Sequence, residues 1–160
     1  MNNEYKNLLD KGIGLIHQGK FNQAIDLISK SINLKNDWEI SYFYRAVAHQ
    51  ANEQMQEAIL DYTKAIKLNP KMTDAYYNRA KILLEMKNCD VNLDKIIDDL
   101  NIALSLDENF VDALFAMAAA QKKKQNYHSA LEYIERLLSI QPDMIHARAF
   151  KKLLLQKYIV

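Results

Sequence analysis

The sequence has few of the residues that form disulfides, turns and zinc sites. It contains 1 Cys, 2 Pro and 3 Gly among 160 residues. A single Cys excludes an internal disulfide framework and a Cys-rich zinc site, and it favours a reducing, cytoplasmic location. Because Pro and Gly are the main residues of turns between strands, their scarcity predicts helices throughout the chain.

The chain also lacks a strong charge of either sign and a long apolar run. Its 21 Lys and Arg residues balance 20 Asp and Glu residues, which gives a formal charge of +1. This balance removes the usual electrostatic argument for binding nucleic acid or an anionic membrane. No uncharged apolar run approaches the roughly 20 residues that cross a bilayer. The first residues also lack the pattern of a secretory signal. We therefore expect no nucleic-acid partner and no membrane insertion.

What the sequence does contain is an internal repeat of 34 residues. Residues 23–26 (QAID) recur as 57–60 (EAIL), and residues 42–46 (YFYRA) recur as 76–80 (YYNRA). Aligning these motifs predicts one domain over 1–160, made of repeats and a terminal helix. The repeats are 5–38, 39–72, 73–110 and 111–144, and the helix is 145–160. The third repeat is longer because it carries an insertion around Lys87–Asp94, which is either a contact loop or tolerated slack.

Small and large residues recur at fixed positions of each repeat. The eighth position is small in every repeat: Gly12, Ala46, Ala80 and Ala118. The twentieth is small in three of them, at Ala24, Ala58 and Ala130, with Ile96 in the third. The twenty-fourth is large: Ile28, Tyr62, Leu100 and Ile134. Small residues on two facing helices let their backbones approach, so each repeat is predicted to be a helix pair. Pro70 and Pro142 lie just past the second helix of their repeats, where Pro ends a helix.

This pattern resembles the tetratricopeptide repeat, a helix-turn-helix unit of 34 residues. The resemblance implies an all-α fold, a right-handed superhelix of four repeats with a C-terminal capping helix. We place the helices at 3–18, 21–34, 38–52, 55–68, 73–87, 93–106, 109–124, 127–140 and 143–158.

No residue pattern predicts catalysis, a metal site or a cofactor. The four histidines have no histidine partner one helical turn away and no nearby Cys. Cys89 is a lone cysteine in the insertion, and no glycine-rich loop is present to hold a phosphate. We predict that the protein is not an enzyme.

Two Arg–Asp pairs recur with the period of the repeat. Arg45 and Arg79 occupy the seventh position of their repeats, and Asp61 and Asp99 follow on the next helix. We expect each Arg to pair with its Asp and to join two helices. The pairing recurs at the same positions of successive repeats, which favours a structural role over a ligand-binding one.

The resemblance implies that the first helix of each repeat lines a concave, partner-binding groove. The groove residues that we predict are Leu9, Ile13, Phe43, Tyr44, Val47, Tyr77, Asn78, Lys81, Phe115, Ala119 and Lys122. Exposed apolar and aromatic residues of this kind mark interaction sites. In the alternative interpretation, Phe43, Tyr77 and Phe115 only pack between adjacent helices. The basic run Lys122–Lys124 is either a solvated helix end or part of the partner surface.

Some tetratricopeptide proteins bind the acidic tails of chaperones with a carboxylate clamp of Lys, Asn and Arg. Of the clamp positions in this chain, only Asn78 holds a matching residue. Phe43 and Val47 stand where the clamp needs Lys and Asn, and Asp112 carries the wrong charge. We do not expect a chaperone-tail clamp.

The leading functional hypothesis is a non-catalytic scaffold that binds a peptide or helix of a protein partner in this groove. A first alternative is self-assembly through the terminal helix, where Leu155, Ile159 and Val160 are apolar. A second alternative is a chaperone for bacterial secreted proteins. The sequence leaves open the partner, the pathway and whether the chain's own segment fills the groove.

Overall fold

A computed structural model describes residues 3–86 and 92–158, and this part of the chain forms helices and no strands. The helices are α1 (Glu4–His17), α2 (Phe21–Leu34), α3 (Glu39–Ala51), α4 (Met55–Leu68), α5 (Thr73–Glu85), α6 (Leu93–Leu106), α7 (Val111–Lys123), α8 (Tyr127–Ile140) and α9 (Ile145–Lys157). The predicted all-α fold is confirmed. None of these helices is long and apolar enough to cross a membrane.

The predicted helix ends differ from the structure by no more than two residues. Differences of two residues occur at the end of α5, predicted at 87 and observed at Glu85, and at the starts of α7 and α9, predicted at 109 and 143 and observed at Val111 and Ile145. The preceding residues Phe110 and Met144 are extended, with ψ of 93° and 101°. An extended residue is the usual half-in position before a helix, so each helix begins after it. Most of the insertion, including Cys89, lies outside the described residues.

The chain divides into two compact units at Ala75 and Tyr76. In the first unit, α1 packs on α2, α2 on α3, and α3 on α4. In the second unit, α6 packs on α7, α7 on α8, and α8 on α9. The single domain over 1–160 stays a prediction.

The turn between the two helices of a repeat has the same backbone form in three repeats. Gly19, Glu53 and Gln125 all adopt positive φ, at 72°, 60° and 67°. In each turn the next residue donates its N–H to a carbonyl five residues earlier, as Lys20 does to Leu15 at 2.9 Å. This is the Schellman arrangement that satisfies the last carbonyls of a helix. The repeat is therefore visible in the backbone as well as in the sequence.

The repeated small and large positions form the interior, as predicted. Ala46, Ala80 and Ala118 are fully buried, and so are the large residues Ile28, Tyr62, Leu100 and Ile134. In the first unit the core cluster consists of Leu9, Ile28, Ile32, Tyr42 and Ala65. Burying such side chains contributes about 1.5–3 kcal/mol each relative to exposure, which holds the helix pairs together.

Two glycines of α1 make opposite predictions. A Cβ added at Gly12 would lie 2.5 Å from Cγ1 of the buried Ile28, whereas nothing lies within 4 Å of a Cβ added at Gly14. Gly14→Ala should therefore stabilise the protein by about 1 kcal/mol through helix propensity. Gly12→Ala should destabilise the protein, because overpacking against Ile28 costs about 1–3 kcal/mol and outweighs the gain in helix propensity. Urea unfolding of both variants checks this, and equal stabilisation by both would contradict the close packing of α1 on α2.

Both predicted Arg–Asp pairs are present, one in each unit. Arg45 donates to both carboxylate oxygens of Asp61, with Nε–Oδ2 and Nη2–Oδ1 distances of 2.7 and 2.8 Å. Arg79 does the same to Asp99, at 2.8 and 2.7 Å. The hydrogen bonding that Arg45 donates to the Asp61 carboxylate raises the pKa of the Arg45 guanidinium despite its partial burial. Each bidentate pair joins two helices, which is the structural role that the repeat period indicated.

Candidate partner-binding groove

The second unit contains a groove made of two adjoining compartments. The narrow compartment has a volume of about 320 Å³ and is lined by Tyr77, Lys81, Leu84, Glu85, Asp112, Phe115, Ala116, Ala119 and Met144. The wide compartment has a volume of about 720 Å³ and is lined by Leu84, Phe115, Ala119, Lys122, Lys123, Gln125, Tyr127, Phe150, Leu153 and Tyr158. Leu84, Phe115 and Ala119 line both compartments, so the two form one continuous surface.

Three helices position these residues. Near the start of α5, the Tyr77 ring lies 4.9 Å from the ring of Phe110, which precedes α7. Near the ends of the same two helices, Lys123 Nζ donates to the Leu84 carbonyl at 3.3 Å. The two helices therefore run in the same direction along the groove. The Phe115 and Phe150 rings lie 5.7 Å apart and connect α7 to α9.

The sequence of α7 explains why it lies at the centre of the groove. Phe115, Ala119 and Lys122 are spaced four and three residues apart, so they share one face of the helix. On its other faces Ala113, Ala118 and Ala120 are fully buried. These small side chains let neighbouring helices approach closely on those faces, so the face that carries Phe115 is the one that lines the groove.

Charge in the narrow compartment is concentrated around Tyr77. Burial, with smaller contributions from Asp112 and Glu85, raises the pKa of the Tyr77 hydroxyl to about 12. Both the low exposure and the nearby carboxylates disfavour the phenolate. At neutral pH Tyr77 therefore offers a protonated hydroxyl, able to donate or accept a hydrogen bond, beside an apolar surface.

The shifted pKa gives a titration that can be measured. The chain has nine tyrosines, and a free tyrosine ionises near pH 10. The difference between the alkaline absorbance titrations of the wild type and Tyr77→Phe should show a midpoint at about pH 12. Because the unfolded state releases the Tyr77 proton near pH 10 and the folded state near pH 12, this group leaves the free energy of unfolding unchanged with pH below about 10. It lowers the free energy of unfolding as the pH rises from about 10 to about 12. A difference midpoint near 10 would show that Tyr77 is solvated.

The wide compartment ends in a cluster of aromatic rings and lysines. Lys122 Nζ lies 5.8 Å from the ring centre of Phe150 and 5.7 Å from that of Tyr158. Tyr158 in turn stacks on Tyr127, with ring centres 4.4 Å apart. Distances below about 6 Å place the ammonium within the range of cation–π attraction. These contacts hold Lys122 over the aromatic surface instead of leaving it as a freely solvated helix end.

The structure brings together only part of the predicted groove set. Tyr77, Lys81, Phe115, Ala119 and Lys122 line the groove of the second unit. Asn78 is half-buried but lies outside the lining of both compartments. In the first unit Val47 is half-buried as well.

The other predicted residues of the first unit pack against its core. Ile13, Phe43 and Tyr44 are partly buried against the core cluster of that unit. The Phe43 ring contacts those of Tyr44 and Tyr62, at 5.4 and 5.7 Å. Leu9 requires a correction, because its side chain is only 2% exposed and is a member of the core cluster itself. It packs among Ile28, Ile32 and Tyr42, where a partner has no access.

The sequence interpretation missed the contribution of α9. Phe150, Leu153 and Tyr158 line the wide compartment, yet the terminal segment was treated as a cap or a self-assembly surface and not as part of the groove. A signal was present in the repeat positions. If residue 145 is counted as the first position of a further repeat, Phe150 and Leu153 fall at the sixth and ninth positions, which Tyr44 and Val47 of the predicted groove occupy in the second repeat.

Comparisons with known proteins agree with this architecture. The family model for the tetratricopeptide repeat matches residues 40–72 and 111–144. The DnaJ homolog subfamily C member 7 homolog of Dictyostelium discoideum is 25% identical over 158 residues, which cover 89% of this chain and 28% of that protein. The human mitochondrial import receptor subunit TOM70 is 30% identical over 128 residues, or 74% of this chain and 21% of that protein. The chain thus spans less than a third of either relative.

Solved structures share the fold over nearly the whole chain. A crystal structure of MamA protein matches with a TM-score of 0.87 at 20% identity, covering 96% of this chain and 82% of that one. The Cut9–Hcn1 hetero-tetramer of the APC/C contains a chain that matches with a TM-score of 0.83 at 22% identity. That match covers 97% of this chain and 30% of the Cut9–Hcn1 one. At these identities the likeness concerns the fold alone.

Proposed function

Because the chain belongs to the tetratricopeptide repeat family, a family of protein-interaction scaffolds, we propose that it binds a segment of a partner protein in the groove of the second unit. The binding is non-catalytic and uses the apolar and aromatic surface of α5, α7 and α9. The observation that carries the proposal is that Phe115 and Ala119 line both compartments, which makes the groove continuous.

The chemistry of the lining supports a peptide or helix as the occupant. Leu84, Phe115, Phe150 and Leu153 supply apolar surface for a side chain of the partner, while Lys81 and Glu85 supply polar groups beside it. Such a combination of apolar anchors with a few polar groups is typical of protein recognition sites. The protonated Tyr77 hydroxyl adds a group that can bond to the backbone of a bound segment.

The proposed contact site includes only some of the groove residues that the sequence predicted. Phe43 and Tyr44 pack against each other and against the first unit's core, which supports a structural role for them. The sites that we propose for partner contact are Tyr77, Lys81, Phe115, Ala119 and Lys122, with Phe150 and Leu153 of α9.

Two leucines of α9 provide a matched test. Leu153 is 39% exposed and lines the wide compartment, whereas Leu155 is 45% exposed and lines a different depression, between α8 and α9. Peptides are first selected from a randomised library on the wild-type protein, and their affinity is measured by fluorescence anisotropy. Leu153→Glu should abolish measurable binding, because it places a charge against Phe115 and Phe150. Leu155→Glu should leave the affinity unchanged.

Equal affinities of the two variants for the selected peptides would contradict binding in the groove. Failure of the wild-type protein to enrich any peptide would contradict the proposed function itself. Far-UV circular dichroism of both variants confirms that each retains its helices before the affinities are compared.

Self-assembly through α9 is the second candidate, and exposed apolar residues favour it. Ile145 is 76% exposed, and Leu155 lines the depression between α8 and α9 together with Leu138. Arg148 and Lys151, which line the same depression, pair with Asp143 and Glu135, so two copies meeting symmetrically there would oppose chiefly the charge of Lys152. Light scattering across a range of concentrations tests this candidate. A mass that rises to that of a dimer, and falls back in Leu155→Glu, would support it, and a constant monomer mass would exclude it.

A further inference from the structure

The two compartments of the groove differ in charge. The narrow one is lined by Asp112 and Glu85 as well as Lys81. Among residues 3–86 and 92–158, those that line the wide one include Lys122 and Lys123 and no carboxylate. A third cation lies at the same end, since Lys157 Nζ is 5.5 Å from the Tyr158 ring centre. The groove therefore presents a positive end beside its largest apolar surface.

The lysines of the wide compartment are available to a partner. Among residues 3–86 and 92–158, neither Lys122 nor Lys123 forms an ion pair. The next residue behaves differently, because Lys124 Nζ bonds Asp94 Oδ1 at 2.5 Å. The basic run thus divides into Lys124, which forms an ion pair within the protein, and Lys122 and Lys123, which line the wide compartment without a carboxylate partner among these residues, although Lys123 donates one hydrogen bond to the Leu84 carbonyl.

The surroundings strengthen an interaction with an anion. Lys122 is half-buried over two aromatic rings, where water is partly excluded and charges are screened less than on an open surface. A partner carboxylate placed there would form ion pairs with Lys122 and Lys123, while a partner ammonium would be repelled. Charge complementarity of this kind selects partners.

We propose that the occupant of the groove is a partner segment in which a large apolar side chain is followed or preceded by an acidic residue. The apolar side chain packs on Phe115 and Phe150, and the carboxylate pairs with Lys122 and Lys123. This inference rests on the proposed function and names the chemistry of its partner. The acidic group is the side chain of an Asp or Glu within the segment, and a C-terminal carboxylate is not required.

The spacing of the two features follows from α7. Phe115 and Lys122 are seven residues apart on this helix, which is about 10 Å along its axis. An extended peptide covers that distance in roughly three residues. We therefore expect the acidic residue roughly two to four positions from the apolar one.

The test compares selection from one randomised peptide library on two proteins, the wild type and the Lys122→Glu/Lys123→Glu variant. Peptides selected on the wild type should carry Asp or Glu at the expected spacing, and the variant should bind them about tenfold more weakly. Selection on the variant should instead enrich Lys or Arg. Lys95→Glu, an exposed lysine of α6 outside the groove lining, is the matched control and should behave as the wild type.

A second measurement does not depend on the folding of any variant. Replacing the acidic residue of a selected peptide with its amide should weaken binding to the wild type by about tenfold, and added salt should weaken the acidic peptide more than the amide. Equal affinities of the acidic and amide peptides would overturn the charge proposal. If Leu153→Glu still abolished their binding, the proposed function would stand, and if it did not, both would be wrong.

Discussion

Replacing Asp99 with alanine should lower the free energy of unfolding by about 3–5 kcal/mol. Asp99 accepts two hydrogen bonds from Arg79, and the side chains of Arg79 and Asp99 are only 10% and 5% exposed. Removing the carboxylate leaves a buried guanidinium without its bidentate partner, and the guanidinium cannot release its proton. The cost is therefore much larger than that of losing a surface ion pair, which is about 0–1 kcal/mol.

The neighbouring residue supplies the control. Asp98 lies on the same helix, carries the same charge and is exposed. Asp98→Ala should change the stability by about 0.5 kcal/mol or less, as is usual for surface substitutions. Asp61→Ala should fall between the two, because its partner Arg45 is 23% exposed and can be solvated more easily. Urea unfolding measures all three, and equal effects of Asp98→Ala and Asp99→Ala would contradict the role of the buried pair.

Truncating Phe115 should have the largest effect on partner binding. Its ring lines both compartments of the groove and lies 5.7 Å from the Phe150 ring. A central aromatic side chain that loses its contacts with the partner typically costs about 2 kcal/mol or more, which is about 30-fold in affinity. We therefore expect Phe115→Ala to bind a selected peptide at least about 30-fold more weakly than the wild type, with a faster dissociation rate.

Phe43→Ala is the comparison variant, since Phe43 occupies the same position of the second repeat. Its ring packs on Tyr44 and Tyr62, so its truncation should lower stability and leave the peptide affinity unchanged. Surface plasmon resonance gives the affinities and thermal unfolding gives the stabilities. A loss of affinity in Phe43→Ala, with none in Phe115→Ala, would move the binding site to the first unit.

The repeat pattern was enough to predict the helices and their interior. Small residues such as Ala46 and Ala118 and large ones such as Tyr62 and Leu100 recur at fixed positions, and they are all buried. The ion pairs could be predicted for the same reason, because Arg79 and Asp99 repeat the spacing of Arg45 and Asp61 around the insertion. Each of these features is local to a helix pair, where the period of the sequence sets which residues meet.

The groove was less predictable, because it depends on how far helices of different repeats separate. Position in the repeat alone placed Leu9 and Phe115 in one set, although Leu9 is buried in a core and Phe115 lines a cavity. The contribution of Phe150 depends on α9 packing beside α7 in the manner of a further repeat. The division of Lys122 and Lys124 between the groove and Asp94 likewise follows from the three-dimensional arrangement and not from the composition of the run.

The most direct test of binding in the groove is methyl nuclear magnetic resonance of the protein with a selected peptide. The methyl groups of Leu84, Ala119 and Leu153 line the groove, whereas those of Leu60 and Leu155 are exposed away from its lining. Our account predicts that intermolecular contacts to the peptide appear at the first three residues and are absent at the last two. Contacts at Leu60 or Leu155, with none at Leu84, Ala119 and Leu153, would contradict it.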